Sequence, residues 1–240
     1  MKNRIAGLLW LVVIVAGGWS FIVPLTMIVR SDAAATAANI LASEHSYRLA
    51  FVANLIAGAC YMGVTVILYD LLKPVNRTMS MLAAFFGVAG VAAGAAAAVT
   101  HFAPLILLGP SPYAAAFTPR QLQALTYMSL RLQGQVSNTA MVFFGLQCLS
   151  AGYLIVVSGF VPRTLGVLLA LGGLSYVTAS FTTFVSPELG ALLAPYVLPT
   201  GLLGEGSLTV WLIVKGASLT TPVGAAARLA GSPAPRATLT

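Results

Sequence analysis

Six long apolar runs decide what this chain can fold into before any motif is read. Ile5 to Val29 passes 25 residues without one charged side chain. A helix rises 1.5 Å per residue, so about 20 apolar residues cross a hydrocarbon core of ~30 Å. Further runs of spanning length occupy 49–72, 79–103, 135–157, 164–185 and 196–214. Backbone polar groups in lipid must be satisfied within the protein, which leaves helices or a closed barrel. These runs are continuous rather than alternating, so they are read as helices. The expected fold is all-α, a polytopic membrane bundle of six transmembrane helices over residues 1–217. Residues 218–240 are rich in Ala, Pro, Gly, Ser and Thr without an apolar period, and read as a disordered cytoplasmic tail.

Composition removes the soluble alternatives. Only 7% of the residues are charged and 59% are hydrophobic, with a mean hydropathy of +0.94. A soluble domain carries about 25% charged residues to stay hydrated. The net charge of +7 comes from Lys and Arg scattered singly between apolar runs, with no basic patch. That pattern argues against nucleic acid and for topogenic charge facing anionic lipid. Cys60 and Cys148 fall inside apolar runs without the spacing of a zinc site or redox pair, and read as small packing residues.

Punctuation between the runs gives the connections. The first run exceeds the apolar core of a secretory signal, about 7–15 residues, so it reads as an uncleaved helix. Ser31 to Tyr47 is expected to hold a short interfacial helix. Pro74 ends the second span in DLLKPVNR. Pro104 to Phe117 reads as a loop, and Thr118-Pro119-Arg120-Gln121 as a capping box opening a helix. That helix is expected to reach the fourth span across a weak point at Gly134. Ser186 to Pro195 reads as another short loop. Gly87, Gly90 and Gly94 stripe the third span and allow close helix approach, which offers a face for an oligomer or partner protein.

Both ends share a side when the spans number six. One side then collects Lys2, Arg4, Lys73, Arg77, Arg163, Lys215, Arg228 and Arg236; the other holds Arg30, Arg48, Arg120 and Arg131. Positive residues concentrate in the cytoplasm, which places both termini there and the protein in the bacterial inner membrane.

One acidic residue breaks the pattern. Glu205 lies within the sixth run, where a charge costs roughly 2.5–3.5 kcal/mol on insertion scales. It needs a partner or a task. The expected topology puts Arg48, Asn54, His101, Arg131, Gln135 and Asn138 in the outer leaflet with it, as a candidate polar pocket. Two readings compete. Either the pocket binds a small solute or ion, or Glu205 pairs with Arg48 or Arg131 and fixes packing. No HExxH, GxSxG, Walker loop or CxxC is present, so no catalytic, cofactor or metal residue is assigned.

LYDLLKPVNR at 68–77, FFGLQCLSAGYLIVVSGFVPRTLG at 143–166 and GEGSLTVWLIVKG at 204–216 together resemble a bacterial integral membrane family, domain of unknown function 4386. In that resemblance Glu205, Trp211 and Lys215 match the closing motif, and Pro162 and Arg163 match the fourth turn. Members often carry an Arg after the Phe pair of the third helix, where this chain has Gly87. The resemblance implies a multi-helix membrane protein and supplies no activity. Binding or passage of a small solute or ion is therefore the leading expectation. A non-catalytic membrane subunit or scaffold is second, and an intramembrane enzyme last.

Overall fold

The computed structural model describes residues 2–110, Pro112 and 114–215 of the chain. The expected tail at 218–240 lies outside these described residues. Among the described residues there are eight α-helices: α1 Lys2–Met27, α2 Ala33–Ala42, α3 Glu44–Leu72, α4 Arg77–Leu108, α5 Pro119–Ser158, α6 Arg163–Val185, α7 Pro187–Gly201 and α8 Ser207–Lys215. A π turn, Leu202–Gly206, joins α7 to α8. Six helical stretches are long and apolar enough to cross a membrane: α1, α3, α4, α5, α6 and the α7–π–α8 segment. The chain is an all-α, multi-pass membrane protein.

Short connections at one end, the basic end, bring Lys2, Lys73, Arg77, Arg163 and Lys215 together. Arg4 Nη2 donates to Val214 O at 3.3 Å and ties the start of α1 to the finish of α8 there. Asn76 caps α4 by accepting from Met79 N at 3.0 Å. Gly159 closes α5 with φ +72°, a left-handed position where a Cβ would be strained. At the opposite end, Asp32 caps α2, accepting from Ala35 N at 2.8 Å. The Thr118–Gln121 capping box forms as expected.

Two boundaries differ from the sequence reading, and the helix opened at Thr118 reaches the fourth span as expected. α5 is one helix of 40 residues that passes Gly134 without a break. A lone glycine costs only about 1 kcal/mol against alanine, too little to interrupt a helix packed along its length. α4 continues through Pro104 to Leu108. The loop expected at Ser186–Pro195 is instead the first part of α7. Pro187 sits at the helix start, where its missing N–H is no loss.

Small residues set the spacing. Gly145 faces Gly173, and Gly152 faces Gly166, across α5 and α6. At each of these positions an added Cβ would fall 2.6 Å from the partner's carbonyl oxygen. Only glycine permits that approach. The main core lies toward the basic end, around Trp10, Leu68, Leu72, Leu154, Leu169, Leu208 and Leu212. A second, smaller core at the other end gathers Met27, Ile40, Tyr47, Leu105 and Leu130.

Candidate functional site

The π turn is where the sixth span ceases to be an ordinary helix. Pro195 and Pro199 interrupt the hydrogen-bond ladder of α7, and Gly201, Gly204 and Gly206 follow. One extra residue is accommodated by i→i+5 bonding, which re-aims the side chain carried on the turn. That side chain is Glu205. It is partly buried, and its carboxylate points at the neighbouring helices.

The carboxylate meets neutral donors. Trp10 Nε1 donates to Oε2 at 3.0 Å, and the Tyr176 hydroxyl donates to Oε1 at 2.9 Å. Cys148 Sγ stands 3.9 Å from Oε1, a long and weak S–H contact. Tyr61 completes the surround: its ring meets Trp10 edge-on at 6.4 Å and Phe144 at 4.8 Å. Among the described residues, no Lys or Arg forms an ion pair with Glu205. Four elements thus bring one polar or aromatic group each to the turn: Trp10 from α1, Tyr61 from α3, Cys148 from α5 and Tyr176 from α6.

Local sequence explains the reach. Gly7 lets α1 press against α8, since a Cβ there would lie 2.7 Å from Ile213 Cγ1 and 2.9 Å from Ile213 N. Trp10, one turn on, then arrives at the π turn and is fully buried. Gly201 does the same for α6, because a Cβ at Gly201 would overlap the Tyr176 hydroxyl. Ser175 and Thr200 share a 2.7 Å hydrogen bond beside it.

Depth follows from helix rise. Trp10 is eight residues from the start of α1, Cys148 ten from the end of α5, and Glu205 ten from Lys215. Those separations correspond to about 12–15 Å from the basic end. The group is therefore in the basic-end half of the bundle and not in the half expected from sequence. The early start of α7 is the reason: it lengthens the stretch before Glu205 by nine residues and leaves the ten residues after it unchanged.

The remaining expected pocket residues are not gathered at Glu205. Arg48 pairs with Glu44 at 2.6 Å, both half-exposed, and lies 5.7 Å over the Phe102 ring. Asn54, Arg131 and Gln135 are exposed and Asn138 is half-buried. The proposed Glu205–Arg48 and Glu205–Arg131 pairs are not formed. Arg48 finds its carboxylate one turn away on its own helix, and Arg131 points outward. His101 belongs to a separate cluster in the other half. It stacks on Tyr47 at 4.2 Å, its Nε2 lies 3.3 Å from Tyr47 O, and Gln133 Nε2 lies 3.2 Å from its Nδ1. A carbonyl only accepts, so Nε2 carries the proton and Nδ1 accepts from Gln133. The glycine stripe of α4 is largely covered from within. A Cβ at Gly87 would strike Gln147 and one at Gly90 would strike Phe144, both on α5; Gly94 alone faces open space.

Sequence reasoning missed Trp10, Tyr61, Cys148 and Tyr176. The available signal was that Trp and Tyr inside a spanning run carry an N–H or O–H that needs a partner at depth.

Over residues 5–216 the chain matches the family described as domain of unknown function 4386. It belongs to that family. The domain of unknown function 4386 match takes in all six spans but for the first three residues of α1, and includes the π turn and all four groups around Glu205. A relative from Archaeoglobus fulgidus, described as an uncharacterized protein, is 26% identical over 165 residues, covering 67% of this chain and 79% of its own. No solved structure matches this member of the family.

Proposed function

We infer that Glu205 is a proton-binding carboxylate, and that its protonation gates the binding or passage of a small solute or ion through this multi-pass membrane protein. The observation that carries the reading is the donor set: an acidic side chain at bilayer depth, hydrogen-bonded by an indole and a phenol and, among the described residues, in no ion pair with Lys or Arg. A lone buried charge is costly even when hydrogen-bonded, so a bound proton relieves it. Trp10 Nε1 is a donor only, and no rotation lets it serve a metal cation as ligand. A proton therefore suits the site better than a sodium-like ion.

Hydrogen-bond inventory supplies the switch. As a carboxylate, Glu205 accepts from both Trp10 and Tyr176. As an acid it must donate once. Trp10 cannot accept, so the proton goes on Oε1 and the Tyr176 hydroxyl turns to accept it. Tyr176 rests against Gly201 at the mouth of the π turn. A change in its hydroxyl is therefore delivered to the joint between α7 and α8, a π turn of the kind found at functional positions. No other titratable group among the described residues faces the carboxylate besides Tyr61, Cys148 and Tyr176.

The test is infrared difference spectroscopy of the full chain in liposomes while pH is varied. Wild type is expected to show one protonated-carboxyl stretching band that comes and goes with pH, absent from Glu205→Gln. No such band in folded wild type, or an unchanged band in Glu205→Gln, contradicts the reading.

A further inference from the structure

Pro162, Arg163, Trp211 and Lys215, which stand out as motif residues in the sequence, take no part in the carboxylate switch. All four line one cavity of about 650 Å³ at the basic end, together with Gly159 and Phe160. One wall is the turn from α5 to α6 and the other is the end of α8. The turn is held in place by Val161, which is 3% exposed and belongs to the main core. The end of α8 is drawn alongside by Gly204 in the π turn before it, where a Cβ would fall 2.6 Å from Leu168 O on α6. Walls fixed in this way need no ordering when a ligand arrives.

The cavity has a charged rim and an apolar floor. Arg163 is the first residue of α6 and Lys215 the last of α8, and both are exposed. Trp211 is four residues before Lys215 on the same face of α8, about 6 Å further into the bundle. Like Phe160 it is half-buried. Charge at this end is one-sided. Among the described residues Asp70 is the one acid there, and it is already paired with Lys73 at 2.7 Å. Arg163 forms no ion pair among the described residues. Arg4 is fixed beside Lys215 by its bond to Val214 O. An anion complements such a rim, and a guanidinium grips a phosphate through parallel N–H donors. The first N–H groups of α6 have no side-chain cap and add to the attraction.

We propose that this cavity binds one anionic phospholipid, with its phosphate held between Arg163 and Lys215 and the start of its chains laid on Trp211 and Phe160. The cations alone would suit free phosphate equally well. The aromatic floor decides between the two. Inorganic phosphate is hydrated on every side and gains nothing from an apolar floor, whereas a lipid carries acyl chains directly below its phosphate. Depth agrees, because both cations stand at helix ends, where headgroups lie, and Trp is favoured at that level. The volume is within the range of about 300–1,000 Å³ typical of small-ligand sites, which accommodates a headgroup and its glycerol while the chains stay in the bilayer. The site is separate from Glu205 and does not depend on its protonation.

The experiment is native mass spectrometry of the full chain in detergent, titrated separately with phosphatidylglycerol, phosphatidylcholine and inorganic phosphate. Wild type is expected to hold one phosphatidylglycerol about tenfold or more tightly than phosphatidylcholine, and millimolar phosphate should not displace it. A Lys or Arg near a headgroup contributes about fivefold in affinity, so Arg163→Gln and Lys215→Gln should each weaken phosphatidylglycerol by about that factor. Arg163→Lys keeps the charge without the paired donors and should fall between wild type and Arg163→Gln. Arg77→Gln, at the same end but outside the cavity, should bind as wild type does. All three positions are exposed, so the variants are expected to fold. Equal weakening in Arg77→Gln, or wild-type affinity in both Arg163→Gln and Lys215→Gln, would overturn the site. Displacement of the lipid by inorganic phosphate would overturn the lipid as its ligand.

Discussion

Among the described residues, one half of the bundle encloses the imidazole of His101 and the other the carboxylate of Glu205, and the two are answered differently. At the end away from the basic residues, His101 is locked by reciprocal bonds. The Tyr47 hydroxyl donates to His101 O at 2.8 Å, His101 Nε2 lies 3.3 Å from Tyr47 O, and Gln133 satisfies Nδ1. One of those partners is a backbone carbonyl, which only accepts and so keeps the proton on Nε2, and the Tyr47 hydroxyl is spent on the backbone of His101 itself. Nearer the basic end, Glu205 meets only side chains, and one of them, Tyr176, can both give and take a proton bond. A buried polar group answered by backbone fixes helix packing. One answered by rotatable side chains on a π turn has two satisfied arrangements, and a switch needs two.

The contrast can be broken most sharply at the carboxylate itself. Glu205→Gln should abolish pH-dependent solute or proton movement in liposomes while the protein still folds, because the amide oxygen can accept from Trp10 while its NH2 donates to the Tyr176 hydroxyl, as the neutral acid would. Activity at wild-type level in that variant would remove the distinction between the halves.

Next in size are the donors. Hydrogen bonds to charged groups contribute about 1.5–3 kcal/mol, so Trp10→Phe and Tyr176→Phe should each lower thermal stability measurably at pH values where Glu205 is ionised. The two differ in function. Tyr176→Phe should uncouple protonation from the α7–α8 joint, leaving the carboxyl band but losing pH-dependent movement. Gly201→Ala should mimic that uncoupling by displacing the Tyr176 hydroxyl. Thermal denaturation and the infrared titration, run side by side, check both.

A smaller effect is expected in the other half. Tyr47→Phe removes one neutral hydrogen bond, worth about 1 kcal/mol, and should shift the melting temperature slightly. It should leave the pH dependence of movement unchanged. A changed pH profile would mean that His101 takes part in the switch. The smallest effects belong to the exposed members of the expected pocket. Arg131→Gln and Gln135→Leu should alter neither stability nor pH response, measured in the same assays.

The architecture was legible because run length in lipid is a strong constraint. Every expected span is helical, and the capping box at Thr118 and the proline stop at Pro74 stand where the residues indicate. The misplaced boundary at Pro187 arose because proline marks both loops and first turns, and only packing distinguishes them. Glu205 itself was visible as a charge out of place. Its partners were not, because Trp10, Cys148 and Tyr176 sit in runs whose apolar character hides a single N–H, S–H or O–H. Which helix faces which is decided by glycines such as Gly7 and Gly201, whose role appears only when two backbones meet. Arg48, near the start of α3, finds Glu44 one turn away, and Arg131 is exposed along α5, so neither charge is spent on a partner at depth.

The central claim is that neutral donors, Trp10 foremost, answer the Glu205 carboxylate. The most direct measurement is the indole N–H resonance of Trp10, observed by NMR in the full chain in nanodiscs with Trp19 and Trp211 replaced by Phe. That resonance should move as pH is varied, with the same midpoint as the Glu205 carboxyl band, and should stop moving in Glu205→Gln. A Trp10 indole that ignores pH while the carboxyl band titrates would contradict the account.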